Sequence, residues 1–544
     1  MKKFLPVCMA ALLCVFGIKA KAQMSYGGEP QSFKVTVSSV IPTIEVEALD
    51  VEALLAEDAS IEGKNHALRI GVTKDVMYTN TNSGRIDLLP DGSKIWRLKF
   101  HMEGATFTSM NFSTFNIPNG AELFLYTPDR EYVIGKFTNQ NLMEDGTFYP
   151  QELPGDEVIV EYYEPASVAF NGQLVIDQIS QGYYDFFHIY EKDVEGGLGD
   201  AEGTCHPNAI CYDAQWHDQI QSVVCYTMTS GGYVYMCSGA MVNNTARDGK
   251  QYLLSANHCY EAGTWKFYFN YQATTCTGSN GSILKTATGY TLKAKDNGDS
   301  SSDFMLVEIT GTINPAFNVF LAGWNNGATA PTNPTQCGAI HHPGGDIKKF
   351  SVPQNINNGS LGGYPKFWLA NWATATGATE QGSSGSPLFN KDKLIVGQLY
   401  AGSSSCTNPT GWDLYGKLSN SWTNNNNSSN AKKLKPWLDP NNTGATSLQG
   451  EYLNTVGINN YTQVVDALNI YPNPNNGQMT ISGSFSEGDG TCMVYDMMGN
   501  LVLSRNITLA SEFTLNLNTL TPGMYMMEIN DNTRISRAKI IISK

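Results

Sequence analysis

The chain has 544 residues, 41% of them hydrophobic and 11% aromatic, an ordinary composition for folded protein spread over more than one core. A formal net charge of −15, without any long run of Lys or Arg, argues against a nucleic-acid partner. The short Lys432-Lys433-Leu434-Lys435 cluster reads as a solvated helix face.

Residues 1–22 read as a signal peptide. Lys2-Lys3 precede an apolar stretch from Phe4 to Ile18, and Ala20-Lys21-Ala22 is a small-x-small site for cleavage before Gln23. The apolar stretch is too short for a membrane span. Cys14 is not read as a lipidation site, because Leu13 before it is bulky and Val15-Phe16 continue the apolar run.

Residues 23–204 read as a separate β-rich unit. Trp96, Leu98 and Phe100 alternate with Arg97 and Lys99. Leu123-Phe124-Leu125-Tyr126 follows the turn Pro118-Asn119-Gly120, and Leu153-Pro154-Gly155-Asp156 introduces Val158-Ile159-Val160. The pattern predicts a β-sandwich. Its place between signal and catalytic region suggests a propeptide, as a folding template or as a lid; a carbohydrate-binding accessory domain is the rival reading. The acidic, glycine-rich stretch from Asp193 to Thr204 predicts exposure.

Residues 205–450 carry the chemistry. Ala256-Asn257-His258-Cys259, Ser302-Asp303-Phe304 and Gln381-Gly382-Ser383-Ser384-Gly385-Ser386-Pro387 supply a base, an orienting carboxylate and a nucleophile in that order. A serine hydroxyl attacks well only when an imidazole takes its proton, and the imidazole needs a buried acceptor to hold one tautomer. Ser384, His258 and Asp303 fit those roles. Gly382 and Gly385 allow a tight turn that aims the N–H groups of Gly382 and Ser384 at a developing oxyanion. Eight of the eleven cysteines fall between Cys205 and Cys406, the signature of a disulfide framework in an exported domain, with 105 pairings open. Their wide spacing, and the opposite faces that His341 and His342 take on an extended strand, argue against a metal site. The two histidines read as structural, and no cofactor is called for.

These segments, with Cys237-Ser238-Gly239-Ala240, His341-His342-Pro343-Gly344-Gly345-Asp346 and Trp437-Leu438-Asp439-Pro440, resemble the trypsin-like serine proteases, most closely the bacterial lysyl endopeptidases. The resemblance implies an all-β protein with a central chymotrypsin-like double β-barrel. It also implies Cys205–Cys406, Cys211–Cys276 and Cys237–Cys259 disulfides, which leaves Cys225 and Cys337 as a fourth pair. The trypsin position for a pocket carboxylate is Ala378 here. The lysyl endopeptidase pattern instead places Asp413 on the opposite wall, with Thr379 and Glu380 as further acceptors for a substrate ammonium.

Two departures bear on mechanism. Ser383 stands where trypsin-like zymogens hold the aspartate that pairs with a freed amino terminus, so activation is not expected to use that ion pair. Tyr400 stands where the lysyl endopeptidases have a pocket-side histidine, and is expected to stack on substrate or on Trp368 or Trp372. Cleavage after Lys implies self-processing after Lys192, the last basic residue before Cys205.

Asn424–Ser429 reads as a polar loop and residues 451–466 as a linker. Pro436 to Ser504 contains no Lys or Arg, so cleavage after basic residues leaves this tether intact. Residues 467–544 alternate as short strands and predict a small β-sandwich with Cys492 in its core. Tyr471-Pro472-Asn473-Pro474, Tyr495-Asp496-Met497-Met498-Gly499, Leu520-Thr521-Pro522-Gly523-Met524-Tyr525 and Lys539-Ile540-Ile541-Ile542-Ser543-Lys544 resemble the sorting domain of type IX secretion. That implies a partner in the secretion machinery and export across a Gram-negative outer membrane, often with removal of the domain and sometimes with attachment to surface lipopolysaccharide.

The combined reading is a secreted endopeptidase cutting protein or peptide substrates after Lys, with Arg tolerated to an extent the sequence leaves open. A broad trypsin-like protease and an inactive surface-binding pseudoprotease are the alternatives.

Overall fold

The computed structural model describes residues 28–61, 66–143, 145–185, 205–298, 301–361, 363–372, 377–408, 411–424, 426–453, 469–482, 488–495, 501–518, 520–530 and 535–543. The expected signal peptide and the Lys192 processing point lie outside the described residues. The chain divides into two compact units, residues 1–455 and 456–544.

Two β-barrels form the catalytic body. In the first, Val223–Ser230 pairs with Tyr233–Val242 and Thr264–Phe269, Tyr233–Val242 with Tyr252–Ala256, and Phe304–Ile309 with Tyr252–Ala256 and Tyr290–Asp296. Strand periodicity of two sorts the side chains. Met305 and Val307 enter the first-barrel core with Leu253, Trp265 and Phe267, while Phe304 and Leu306 turn to the core between the barrels with Trp324, Phe389 and Ile395. In the second barrel Pro387–Phe389, Ile395–Gly402, Trp412–Lys417, Tyr364–Trp372 and Pro353–Leu361 follow one another by antiparallel pairing. Its interior is filled by Trp368, Ala370, Trp372, Leu388, Leu399 and Tyr415.

The N-terminal region is a β-sandwich, with Trp96, Leu98 and Phe100 buried beside Phe112, Phe115 and Phe148. It is not the separate unit expected from the sequence. Leu68–Thr79 pairs antiparallel with the barrel strand Tyr233–Val242, so one sheet runs without interruption from the sandwich into the first barrel. The barrel strand would otherwise present unpaired backbone groups at a sheet edge, and the N-terminal strand satisfies them.

The structure forms Cys205–Cys406, Cys211–Cys276 and Cys237–Cys259, but leaves Cys225 and Cys337 unbonded, which corrects the fourth pairing. The reason is location. Cys225 packs with Leu68, Phe107 and Tyr271 against the N-terminal region, whereas Cys337 packs with Trp368 and Leu388 inside the second barrel. Separate cores keep the thiols apart.

The expected linker starts too early. Glu451–Tyr452 pairs with Phe320–Leu321, and Tyr452 O–H donates to Asp218 at 2.6 Å, so these residues belong to the catalytic body.

The C-terminal unit has two sheets. One holds Asn469–Tyr471, Gln478–Ser482 and Glu512–Asn516; the other holds Leu501–Leu509, Gly488–Tyr495, Gly523–Asn530 and Ile535–Ile542. Met479, Ile481, Cys492, Val494, Met527 and Ile540 fill the space between. Among the described residues, no helix is long and apolar enough to cross a membrane.

Candidate active site

His258 sits on the single turn Asn257–Cys259 that ends the strand Tyr252–Ala256, and Asp303 immediately precedes Phe304–Ile309. Because Ala256 pairs with Phe304, strand register alone places the two side chains together. Asp303 Oδ2 lies 2.6 Å from His258 Nδ1, and Oδ1 accepts from the His258 backbone N–H at 3.1 Å. With Nδ1 donating to a carboxylate, Nε2 is left as the basic nitrogen. It has no hydrogen-bond partner among the described residues. Asp303 takes a left-handed backbone (φ +56°), and Gln398 Nε2 donates to the carbonyls of Ser302 and Asp303 at 2.7 and 3.2 Å.

Ser384 lies in the turn before Pro387–Phe389, and the Ser238 N–H donates to its carbonyl at 2.9 Å. The glycines on either side are sterically required. Gly382 and Gly385 have φ of +85° and +81°, and a Cβ on Gly385 would stand 1.9 Å from Ser255 Oγ. Ser255 immediately precedes Ala256, so the serine turn is pressed onto the strand that leads to His258.

Asp413, the carboxylate expected to set specificity, is completely buried. Its Oδ2 accepts from Trp372 Nε1 at 2.5 Å, Thr379 Oγ1 at 2.8 Å and Ser404 Oγ at 2.6 Å. Oδ1 has no partner among the described residues. A Cβ added to Gly402 would lie only 1.6 Å from that free oxygen, so the glycine keeps the space in front of it open. Ala378 is buried in the same core. Trp372, Ser404 and Gly402 complete this environment; the sequence named Trp372 only as a stacking partner for Tyr400, and no motif singled out Ser404 or Gly402.

The other residues expected at the pocket differ in their engagement. Glu380 Oε1 lies 2.6 Å from His206 Nε2, so this carboxylate is committed to a histidine beside Cys205. Tyr400 stacks on Phe367 with centroids 5.0 Å apart and meets the His258 ring edge-on at 6.0 Å. Trp368 Nε1 donates to the Val396 carbonyl, and Trp372 Nε1 to Asp413.

Ser384 is fully buried, and the N-terminal strand lies beside Gln381 and Gly382 in its turn. Leu68 pairs with Met236, next to Cys237, and its Cδ2 lies 3.4 Å from where a Cβ on Gly382 would be. Gln381 Nε2 donates to His66 Nε2 at 3.1 Å. Burial first, and then the nearby His258, push the His66 imidazole below its ordinary 6.5, with Asp58 opposing. Neither His66 nor Leu68 was marked by motif, since only their placement beside Gln381 and Gly382 gives them meaning.

Comparison with known proteins gives a consistent result. Residues 199–416 match the family described as lysyl endopeptidase, C-terminal domain, and residues 469–543 match the secretion system C-terminal sorting domain. A lysyl endopeptidase of Pseudomonas aeruginosa is 28% identical over 340 residues, covering 59% of this chain and 71% of the relative. Similar solved structures include the protease Anisep from Arthrobacter nicotinovorans, at 18% identity and a TM-score of 0.28, covering 36% of this chain and 90% of that one. Another is neuropsin, a serine protease expressed in mouse brain, at 17% identity and a TM-score of 0.29, covering 41% and 97%.

Proposed function

We propose that this chain, a secreted trypsin-like serine endopeptidase of a Gram-negative bacterium with a lysyl endopeptidase-type catalytic region and a type IX sorting domain, cuts peptide bonds after lysine. The observation that carries the lysine preference is the divided state of Asp413. One oxygen is saturated by three donors while the other is buried and has no partner among the described residues. A buried carboxylate with a vacant acceptor gains most from a compact ammonium, and a neutral side chain would leave it unpaired.

Catalysis follows from the triad. Ser384 Oγ attacks the scissile carbonyl carbon as His258 Nε2 takes its proton, and Asp303 stabilises the imidazolium through Nδ1. The N–H groups of Gly382 and Ser384 receive the oxyanion. Collapse breaks the peptide C–N bond, His258 returns the proton to the leaving amine, and water activated by the same imidazole releases the acyl group.

The N-terminal sandwich serves as a propeptide that keeps the precursor latent, supported by the strand lying across the serine turn. Cleavage after Lys192 would then separate the covalent link between sandwich and catalytic body. Attachment of the processed enzyme to surface lipopolysaccharide belongs to the same proposal, and a shift of the surface-bound protein to higher mass in immunoblots would detect it.

Cleavage mapping on a mixed peptide library, beside fluorophosphonate labelling of Ser384, tests activity and specificity together. Cuts confined to Lys support the reading. Equal cutting after Arg would replace it with broad trypsin-like preference, and no labelling in processed enzyme would indicate a pseudoprotease.

A further inference from the structure

The turn that aims Gly382 and Ser384 needs an anchor, because the residue before the nucleophile is Ser383 and offers no carboxylate to a new amino terminus. We propose that His341 is a positioning residue that locks this oxyanion turn through Ser383, so that the hole is set without the mature amino terminus. The inference rests on Ser384 being the nucleophile.

Hydrogen-bond directions fix the arrangement. Ser351 Oγ–H donates to the Ala378 carbonyl at 3.0 Å, so this hydroxyl accepts from His341 Nε2–H, 2.9 Å away. His341 Nδ1 is then an acceptor, and Ser383 Oγ–H donates to it at 2.7 Å. Ser383 Oγ in turn accepts from the Glu380 N–H at 3.2 Å. His341, Ser351 and Ser383 are all completely buried, where each such bond is costly to leave unmade. One imidazole thereby ties together Ala378, Glu380 and Ser383, three points on the segment that ends at the nucleophile.

The backbone beside His341 adds a second set of ties. The His342 N–H donates to Ser238 Oγ at 3.0 Å, and Ser238 Oγ–H donates to the Gly382 carbonyl at 2.8 Å. The Gly344 N–H donates to the Gln381 carbonyl at 2.8 Å. Gly344 holds the Gln381 carbonyl and so fixes the peptide plane that carries the Gly382 N–H, while the Ser386 N–H donates to the Ser383 carbonyl at 3.0 Å and fixes the plane that carries the Ser384 N–H; Ser238 holds the intervening Gly382 carbonyl. His206 also holds Glu380, and its ring lies 5.9 Å from that of His341.

The test uses secreted, processed enzyme. Wild type labelled at Ser384 by a fluorophosphonate establishes the nucleophile; failure to label overturns that assignment and this proposal with it. In His341→Leu, kcat for a lysyl peptide should fall about a hundredfold, the scale for loss of an oxyanion donor, with KM changed less than about threefold. Affinity for a peptide aldehyde, whose adduct places an oxyanion in the hole, should fall in parallel. Competition by n-butylamine, which reads the Asp413 pocket alone, should stay the same. Unchanged kcat, or parallel loss of n-butylamine affinity, overturns the proposal. Should His341→Leu fail to fold, Ser383→Ala, which removes one hydroxyl, must give the same split between kcat and KM. Acetylating the mature amino terminus of wild type should leave kcat intact, and a tenfold loss would overturn the proposal.

Discussion

Lys266 Nζ lies 3.0 Å from Glu152 Oε1, with the two side chains 1% and 0% exposed, and this ion pair joins the first barrel to the N-terminal sandwich. Ser109 Oγ also accepts from Lys266, at 2.7 Å, and Thr227 Oγ1 donates to Glu152 at 3.3 Å. Breaking a buried pair from one side leaves an unpaired charge, which costs about 3–5 kcal/mol, whereas replacing both partners with apolar groups is close to neutral. Glu152→Leu in a Ser384→Ala precursor should therefore lower stability to urea by that amount. Adding Lys266→Met should recover most of it. Equal losses in the single and double variants would contradict the role assigned to the pair.

Gly402 provides an independent check on the pocket. A Cβ there would overlap Asp413 Oδ1, so Gly402→Ala should exclude the lysine ammonium while leaving the triad intact. Steady-state kinetics with a lysyl peptide should show kcat/KM reduced by about two orders of magnitude or more, the scale of a lost buried charge pair. A small fluorophosphonate with no P1 side chain should still label Ser384 at close to the wild-type rate. Undiminished lysyl hydrolysis would place the specificity elsewhere.

The cover over Ser384 should respond to both packing and pH. Leu68 is 3% exposed, so Leu68→Asp forces a charge into an apolar contact and should raise fluorophosphonate labelling of the intact precursor on the order of a hundredfold. His66 is held below 6.5 where it docks, facing His258 and Asp58, and regains its ordinary value when released. The released state thus binds more protons, so docking is strongest above pH 6.5 and weakens as pH falls below it. Hydrogen exchange at Leu68 and Ile70 in the Ser384→Ala precursor should accelerate over that range, and His66→Gln should flatten the response. Identical pH profiles would remove His66 from the cover.

The triad was legible because its evidence is local, and the barrels only because the resemblance carried by the same segments implies them. The His258, Asp303 and Ser384 motifs each occupy a short segment, so order along the chain was enough to suggest the triad. What stayed hidden depends on contacts between distant segments. Nothing in the sequence of Leu68–Thr79 discloses its pairing with Tyr233–Val242. Counting cysteines invites pairing Cys225 with Cys337, while only packing reveals that they occupy different cores. His341 and His342 read as structural from spacing alone, and their attachment to Ser383 and Gly382 needed coordinates.

His342 gives the clearest prediction for acid stability. It is completely buried, stacks on Tyr271 with centroids 5.6 Å apart, and donates from Nδ1 to the Asp346 carbonyl at 2.9 Å. Burial, reinforced by Lys348 and Lys349 and opposed by Asp346, pushes its imidazole down to about 3 from 6.5. The folded state therefore keeps it neutral across a range in which the unfolded chain binds a proton. Its contribution to stability is complete above pH 6.5 and declines as pH falls toward 3, with a slope approaching about 1.4 kcal/mol per pH unit. Denaturant midpoints of the Ser384→Ala precursor from pH 7 to 4 should show this decline. His342→Phe retains a ring against Tyr271 but cannot titrate, so it should be less stable at neutral pH, having lost the bond to Asp346, and should fall less steeply in acid. Parallel slopes for the two proteins would mean that His342 does not remain neutral in the fold.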